Sequence, residues 1–376
     1  MGRLRRRTIA FLLLFAATLS ARAAGVSTQE LVLGQSAPLS GPFAALGNDY
    51  RNGAMLAFDQ VNAAGGIHDR PIRLVTLDDA YDAGRARTNA EDLIHRHHAL
   101  AFFNHMFTNT VRASLPIAQS AGIPYFGPYT GMPELYLGDR PRLFVTRASF
   151  AEELDKILDQ LTSVGYRRIG LAYYEGTTGE EFRSDVEAGL HARHRELVGS
   201  AAMAFGGSAV PAVRSMVGIA PDVVILGVSG ADAVAFIRAE LDANLRPAYF
   251  TRSLVDSRLL HEVFGKQAEG IVITQLVPSP FRVNPEQLIV REYLQLLAAA
   301  GRSAPSYVEF EGFLNARVMI LALRRMAEPP SPVSLAGALS GLGQVDLGGY
   351  VVDLSPGHRH RFVELTMLRA DGTFAH

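Results

Sequence analysis

Short apolar runs alternate with segments of helical period along nearly the whole chain. The first run, 31–33, leads into Gln35-Ser36-Ala37-Pro38-Leu39-Ser40-Gly41-Pro42, a turn-forming stretch. A helix is predicted over about 48–62 and breaks at Ala64-Gly65-Gly66-Ile67. A second strand, 72–77, ends in the acidic pair Asp78-Asp79. Strand, turn, helix, Gly-Gly, strand is one βαβ unit, in which a helical crossover joins two parallel strands. Ala86, Ala90, Leu93 and Ile94 then recur at a spacing near 3.6 and predict a helix over 83–95.

The pattern continues with a strand over 99–104, a helix over 112–121 closed by Gly122, and a short strand at 124–126. An extended piece at 143–146 precedes an amphipathic helix over 151–164. A second series follows, with strands at 169–173, 198–205, 223–226, 248–251 and 270–276. Helices at 181–193, 211–219, 231–243 and 261–264 separate them, and Gly176-Thr177-Thr178-Gly179 reads as a turn. Beyond Pro278 and Pro280, helices are expected at 285–299, 308–325 and 335–340. Segments 349–353 and 362–369 are expected to close the chain as a hairpin, ending in Asp371-Gly372. Such alternation argues for α/β layers with parallel strands, here in two similar lobes.

The N-terminal segment predicts that these lobes are exported to the periplasm. Met1 to Arg7 is basic, 9–19 is an apolar run of eleven residues, and Ala21-Arg22-Ala23 precedes an expected cut before Ala24. That is the layout of a secretory signal peptide, so 1–23 is assigned to one, and the apolar run is too short to span a bilayer comfortably. Losing its five arginines takes the formal charge from −1 to about −6, which disfavours nucleic acid and anionic membranes as partners. The chain has no cysteine, so neither disulfides nor a lipid-bearing cysteine can hold it. No later run of 18 apolar residues suggests a membrane span.

The order of small motifs carries a resemblance. Pro38-Leu39-Ser40-Gly41-Pro42 is followed by Gly47, Gly53, Ala57, Asn62 and Gly65-Gly66-Ile67, then Asp78-Asp79. Later come Ile117-Ala118-Gln119-Ser120-Ala121-Gly122-Ile123-Pro124-Tyr125-Phe126-Gly127-Pro128, the strand at 270–276, Glu311-Gly312-Phe313, Ala322-Leu323-Arg324-Arg325 and Asp371-Gly372. In this order and spacing the chain resembles periplasmic binding proteins of the branched-chain amino acid and amide transport group. The resemblance implies a type I periplasmic binding protein fold: two Rossmann-like lobes joined by three hinge crossings, closing on a ligand like a venus flytrap. It implies a monomer without cofactor, metal or catalytic activity that delivers a small molecule to an inner-membrane permease of the ABC class. On this pattern one lobe is 29–148 with 278–361, and the other 149–277 with 362–376.

The same resemblance nominates the site. Amino acid binders of the group hold the ligand carboxylate with hydroxyls and backbone N–H groups of the first lobe, and the matching positions are Phe107-Thr108 and Tyr129-Thr130-Gly131. Capping of a helix beginning near Thr110 is the competing role for Thr108. Amino acid binders hold the ammonium with an acid and aromatics of the second lobe, where this chain has Thr178, Ser229, Arg252 and Ser253. Ser253 stands in place of the acid, and a buried ammonium without a carboxylate carries a heavy desolvation cost. A free α-amino acid is therefore not the expected ligand. Arg252, unless it points outward to solvent, suits a carboxylate through its forked donors. Leu46, Phe107 and Tyr129 are expected to provide apolar walls.

Rival constellations are weaker. Gly227-Val228-Ser229-Gly230-Ala231 imitates a nucleophile elbow but lacks the final glycine, although His261, His358 and His360 follow it. His95-Arg96-His97-His98 and His358-Arg359-His360 have no carboxylate companions and read as solvated. Two other possibilities remain beside transport: a ligand-sensing subunit of a signalling receptor and, more remotely, a serine hydrolase.

Overall fold

The computed structural model describes residues 30–138, 140–282, 284–355, 357 and 361–375. The proposed signal peptide and the His358-Arg359-His360 cluster lie outside them. Strands β1 (Leu31–Ala37), β2 (Ile72–Asp78), β3 (Ala101–Phe103), β4 (Tyr125–Phe126) and β5 (Leu143–Phe144) form one sheet in the order β2-β1-β3-β4-β5. All of its pairings are parallel. Every residue of β1 is buried, as expected of a strand covered on both faces. Its run extends through Gln35, Ser36 and Ala37 because Gln35 and Ser36, though polar, are bonded inside the fold to Asn104 and Asp79.

A second sheet contains β6 (Ile169–Tyr174), β7 (Leu197–Met203), β8 (Val223–Leu226), β9 (Ala248–Thr251), β10 (Val272–Gln275), β13 (Glu364–Leu368) and β14 (Phe374–Ala375). Its order is β14-β13-β10-β9-β8-β6-β7, parallel except at the β13 and β14 edge. The expected closing hairpin is not formed. Segment β12 (Val351–Asp353) pairs instead with β11 (Gln344–Asp346), and β13 pairs with β10 and β14. Alternation told that these pieces were strands but not which edge each would meet, since a short strand accepts any free edge in reach.

Helices join and cover the strands. The helices α1 (Ala44–Ala63), α2 (Ala83–His95) and α3 (Thr108–Ala121) belong with the first sheet, while α4 (Phe150–Val164), α5 (Thr177–His191), α6 (Val210–Val217), α7 (Gly230–Asp242) and α8 (Ser257–Phe264) accompany the second. Ser149 and Glu152 cap α4 reciprocally and Gly165, at φ 91°, ends it, so this helix starts and stops where its sequence directs. The chain leaves the first sheet after β5 and returns after β10 through α9 (Leu288–Ala299) and α10 (Tyr307–Arg325), which packs on α1. After α11 (Pro332–Ser340) and the β11–β12 pair it crosses once more, into β13. These are three crossings, and the parallel strands of the two sheets deliver their C-terminal ends to the space between.

Candidate functional site

A cleft of about 560 Å³ lies between the lobes, lined by residues that follow the ends of parallel strands. Open α/β sheets bind ligands at this position. From the first lobe, Tyr81 follows β2, and Phe107 and Thr108 follow β3. From the second lobe, Tyr174 closes β6, Val228 and Ser229 follow β8, and Arg252 follows β9.

Three helices begin at this cleft, and none is capped by a side chain. Phe107 holds the cap position of α3 at φ 66°, Gly176 that of α5 at φ 93°, and Ser229 that of α7. Helix N-termini present free N–H groups and a partial positive charge, so their convergence favours an anion. Helix α3 starts at Thr108 itself, and the Thr108 hydroxyl hydrogen-bonds the Thr130 hydroxyl at 2.8 Å. Capping near Thr110 is therefore not its role. The expected turn at Gly176-Thr177-Thr178-Gly179 is instead the first turn of α5, and Thr178 faces the cleft from it.

Arg252 is the only lysine or arginine that lines the cleft among the described residues. Its guanidinium lies between the rings of Phe150 and Phe182, at 4.2 and 4.1 Å from their centroids. It makes no hydrogen bond or ion pair to another side chain among the described residues and lines the cleft. Burial draws it down to about 10, against the opposing pull of Glu153 and Asp185, so it stays charged at neutral pH. The alternative of an outward surface arginine is excluded by that sandwich.

Ser253 is committed elsewhere. Its N–H donates to the Glu153 carboxylate at 2.9 Å and its carbonyl accepts from the Tyr129 hydroxyl at 3.1 Å. Its hydroxyl accepts from Arg147, a fully buried cation paired with Glu311 at 2.8 Å and stacked 3.9 Å over the Tyr129 ring. Ser253, the position that the resemblance matches to the acid, is thus bonded into a buried network of Arg147, Glu153 and Glu311.

The nominated residues thus divide. Phe107, Thr108, Thr178, Ser229 and Arg252 meet in the cleft. Tyr129 and Ser253 lie behind it at the junction of the lobes. Thr130 is buried beneath Thr108, and Gly131 packs against the backbone of Phe150, which a Cβ would approach to 2.5 Å. Leu46 lines a separate groove with Asp49 and Arg258. Sequence reasoning passed over Tyr81, Tyr174 and Phe205. All three sit at or just beyond the end of a parallel strand, which is the signal that finds them. Among the described residues no histidine lines the cleft, so they assemble no Ser229–histidine pair there.

Residues 30–373 match the model of a periplasmic binding protein family. The chain belongs to that family. Its members bind solutes and are not enzymes, which sets the hydrolase reading aside. A protein from Rhodopirellula baltica described as a possible leucine/isoleucine/valine-binding protein superposes with a TM-score of 0.84 at 29% identity, covering 93% of this chain and 96% of that one. A substrate-binding periplasmic protein from Ralstonia solanacearum gives 0.84 and 29%, covering 92% and 99%. An amino acid binding protein of Pseudomonas aeruginosa is 32% identical over 114 residues, 30% of either chain. The curated relatives are thus matched over less than a third of their own length.

Proposed function

We propose that this family member is an exported solute-binding protein that captures a small, partly apolar organic acid between its lobes and delivers it to an inner-membrane ABC-type permease. The lobes proposed are 29–148 with 278–361 and 149–277 with 362–376, supported by the division of the strands between two sheets. The observation that carries the ligand reading is Arg252, a guanidinium with no hydrogen-bond or ion-pair partner among the described residues, in a cleft where three uncapped helices begin. A carboxylate satisfies both its fork and the helix N–H groups. A free α-amino acid is disfavoured because the only carboxylate lining the cleft among the described residues, Glu175, is exposed, while Ser253 is bonded to Arg147. An exposed charge in water gives a screened and weak hold on an ammonium.

Thermal unfolding with candidate ligands tests this. L-leucine, L-valine and L-glutamate at micromolar concentration are expected to leave Tm unchanged, and mass spectrometry of ligand released from the periplasmic protein is expected to show an organic acid. A ligand present at a hundred times its Kd adds about 2.7 kcal/mol, which raises Tm by several degrees. Such a rise with any of the three amino acids rejects the reading.

A further inference from the structure

The apolar character of the cleft is specific in kind. Of the aliphatic lining residues, Leu226, Val228 and Val255 are at most 6% exposed, so their surface is already covered by the fold, and Leu254 alone is half-buried. The apolar side chains that keep surface toward the cleft are chiefly rings: Tyr81, Phe150, Tyr174 and Phe205. Phe150 is occupied by Arg252, which leaves the other three. Phe205 stands with its ring centroid 5.3 Å from Tyr81 of the first lobe and 5.6 Å from Tyr174 of its own, while being 48% exposed. Tyr174 is held in place because its hydroxyl donates to Asp232 at 3.0 Å and accepts from the Ser229 N–H. Three rings from both lobes thus face a space whose charged end is Arg252.

We propose that the ligand is an aryl carboxylate without an amino group, its ring packed among Tyr81, Tyr174 and Phe205 and its carboxylate on Arg252. The inference rests on the carboxylate reading of Arg252 and adds the ring. A cleft of about 560 Å³ suits a ligand larger than the common amino acids, with room for one or two fused or linked rings. Aromatic pairs add attraction beyond the area they bury, so these walls separate a ring from an alkyl chain of equal hydrophobicity. Phe205 is the residue that determines the choice, because it alone among the three is largely exposed and has no polar group to satisfy.

Calorimetric titration of the exported protein with benzoate, cinnamate, 2-naphthoate, cinnamamide, octanoate and L-phenylalanine tests the proposal. At least one aryl acid is expected to bind, with cinnamamide about ten- to a hundredfold weaker than cinnamate because it loses the charged hydrogen bonds. Octanoate is expected to bind about tenfold more weakly than the best aryl acid, and Phe205→Ala to cost the aryl acid about tenfold while changing octanoate less than about threefold. Octanoate equal to the aryl acids, or equal losses for both on Phe205→Ala, overturns the ring and leaves the carboxylate reading standing. Cinnamamide equal to cinnamate overturns the carboxylate reading itself, and L-phenylalanine equal to cinnamate overturns the exclusion of amino acids. Failure of all three aryl acids to bind overturns the proposal.

Discussion

Neighbouring residues of one type can be driven in opposite directions, as Asp78 and Asp79 are. Burial works against the charge of Asp78, but the Ser40 hydroxyl, the N–H groups of Leu39 and Ala80, and Arg85 outweigh it and hold the carboxyl at about 2. Asp79 is fully buried, and burial pushes it up to about 6 despite donors from Ser36 and the Tyr81 N–H, both at 2.8 Å. Together the pair ties the turn at Leu39 and Ser40 to the end of β2 and sets Tyr81 in the cleft. An acid raised in the folded state contributes stability that is full below its ordinary value near 3.8 and lost as pH rises through about 6. Asp79→Asn is therefore expected to shrink the stability lost between pH 4 and pH 7 by about 2–3 kcal/mol, read from urea unfolding of both proteins at both pH values. The acidic pair is visible in the sequence, but the split in its titration is not, because it depends on which carboxylate is buried against Ser36 and which reaches Ser40, Arg85 and solvent. The same holds for Arg252 and Ser253. Adjacent in sequence, one lines the cleft and the other is tied to Arg147, 106 residues away, and only the fold separates their roles.

At the scale of elements, α1 and α10 show why certain small residues stand where they do. A Cβ on Gly53 would come within 1.8 Å of the Glu309 carbonyl oxygen, and one on Gly312 within 2.1 Å of that of Tyr50. Each helix therefore rests its backbone on the other's at a reciprocal pair of glycines. Gly53→Ala gains about 1 kcal/mol of helix propensity but forces the helices apart, a strain typically worth about 1–3 kcal/mol and here imposed on backbone that cannot rotate away. The expected result is a net loss of at least about 1 kcal/mol, seen as a lower Tm; an unchanged or higher Tm would contradict the close packing. Both glycines belong to the motifs by which the chain resembles its family, although their physical reason is invisible until the two helices meet. Strands and helices with a strong period were legible almost to the residue, as with α2, β8 and β9. The first turns of α3, α5 and α8 were not. Their starts carry residues such as Thr108, Thr177 and Ser257 that have no apolar period and resemble loops. These starts matter, since two of the three border the cleft.

At the scale of the whole molecule, the lobes touch in several places around the cleft. Arg258 of α8 pairs with Asp49 of α1, and the Tyr129 hydroxyl donates to the Ser253 carbonyl. Phe205 also approaches Phe43, their ring centroids 6.0 Å apart, and Phe43 lies where a Cβ on Gly230 would come within 2.9 Å of its ring. Each contact joins the first lobe to the second and none lies at a crossing strand, so together they favour lobes held together over lobes apart. Ligands shift such an equilibrium only by their differential affinity for its two states. Contacts between the lobes' own residues add to whatever a ligand contributes to holding them together. Arg258 is 40% exposed at its side chain while Asp49 is 10% exposed, so the pair is partly screened and worth about 1 kcal/mol. Asp49→Ala is accordingly expected to raise the population of separated lobes about fivefold without ligand. Small-angle scattering of the unliganded variant would then show a larger radius of gyration than the wild type, and saturating ligand would bring the two together. Equal radii in the absence of ligand would mean that the rings and the Tyr129–Ser253 bond hold the lobes by themselves.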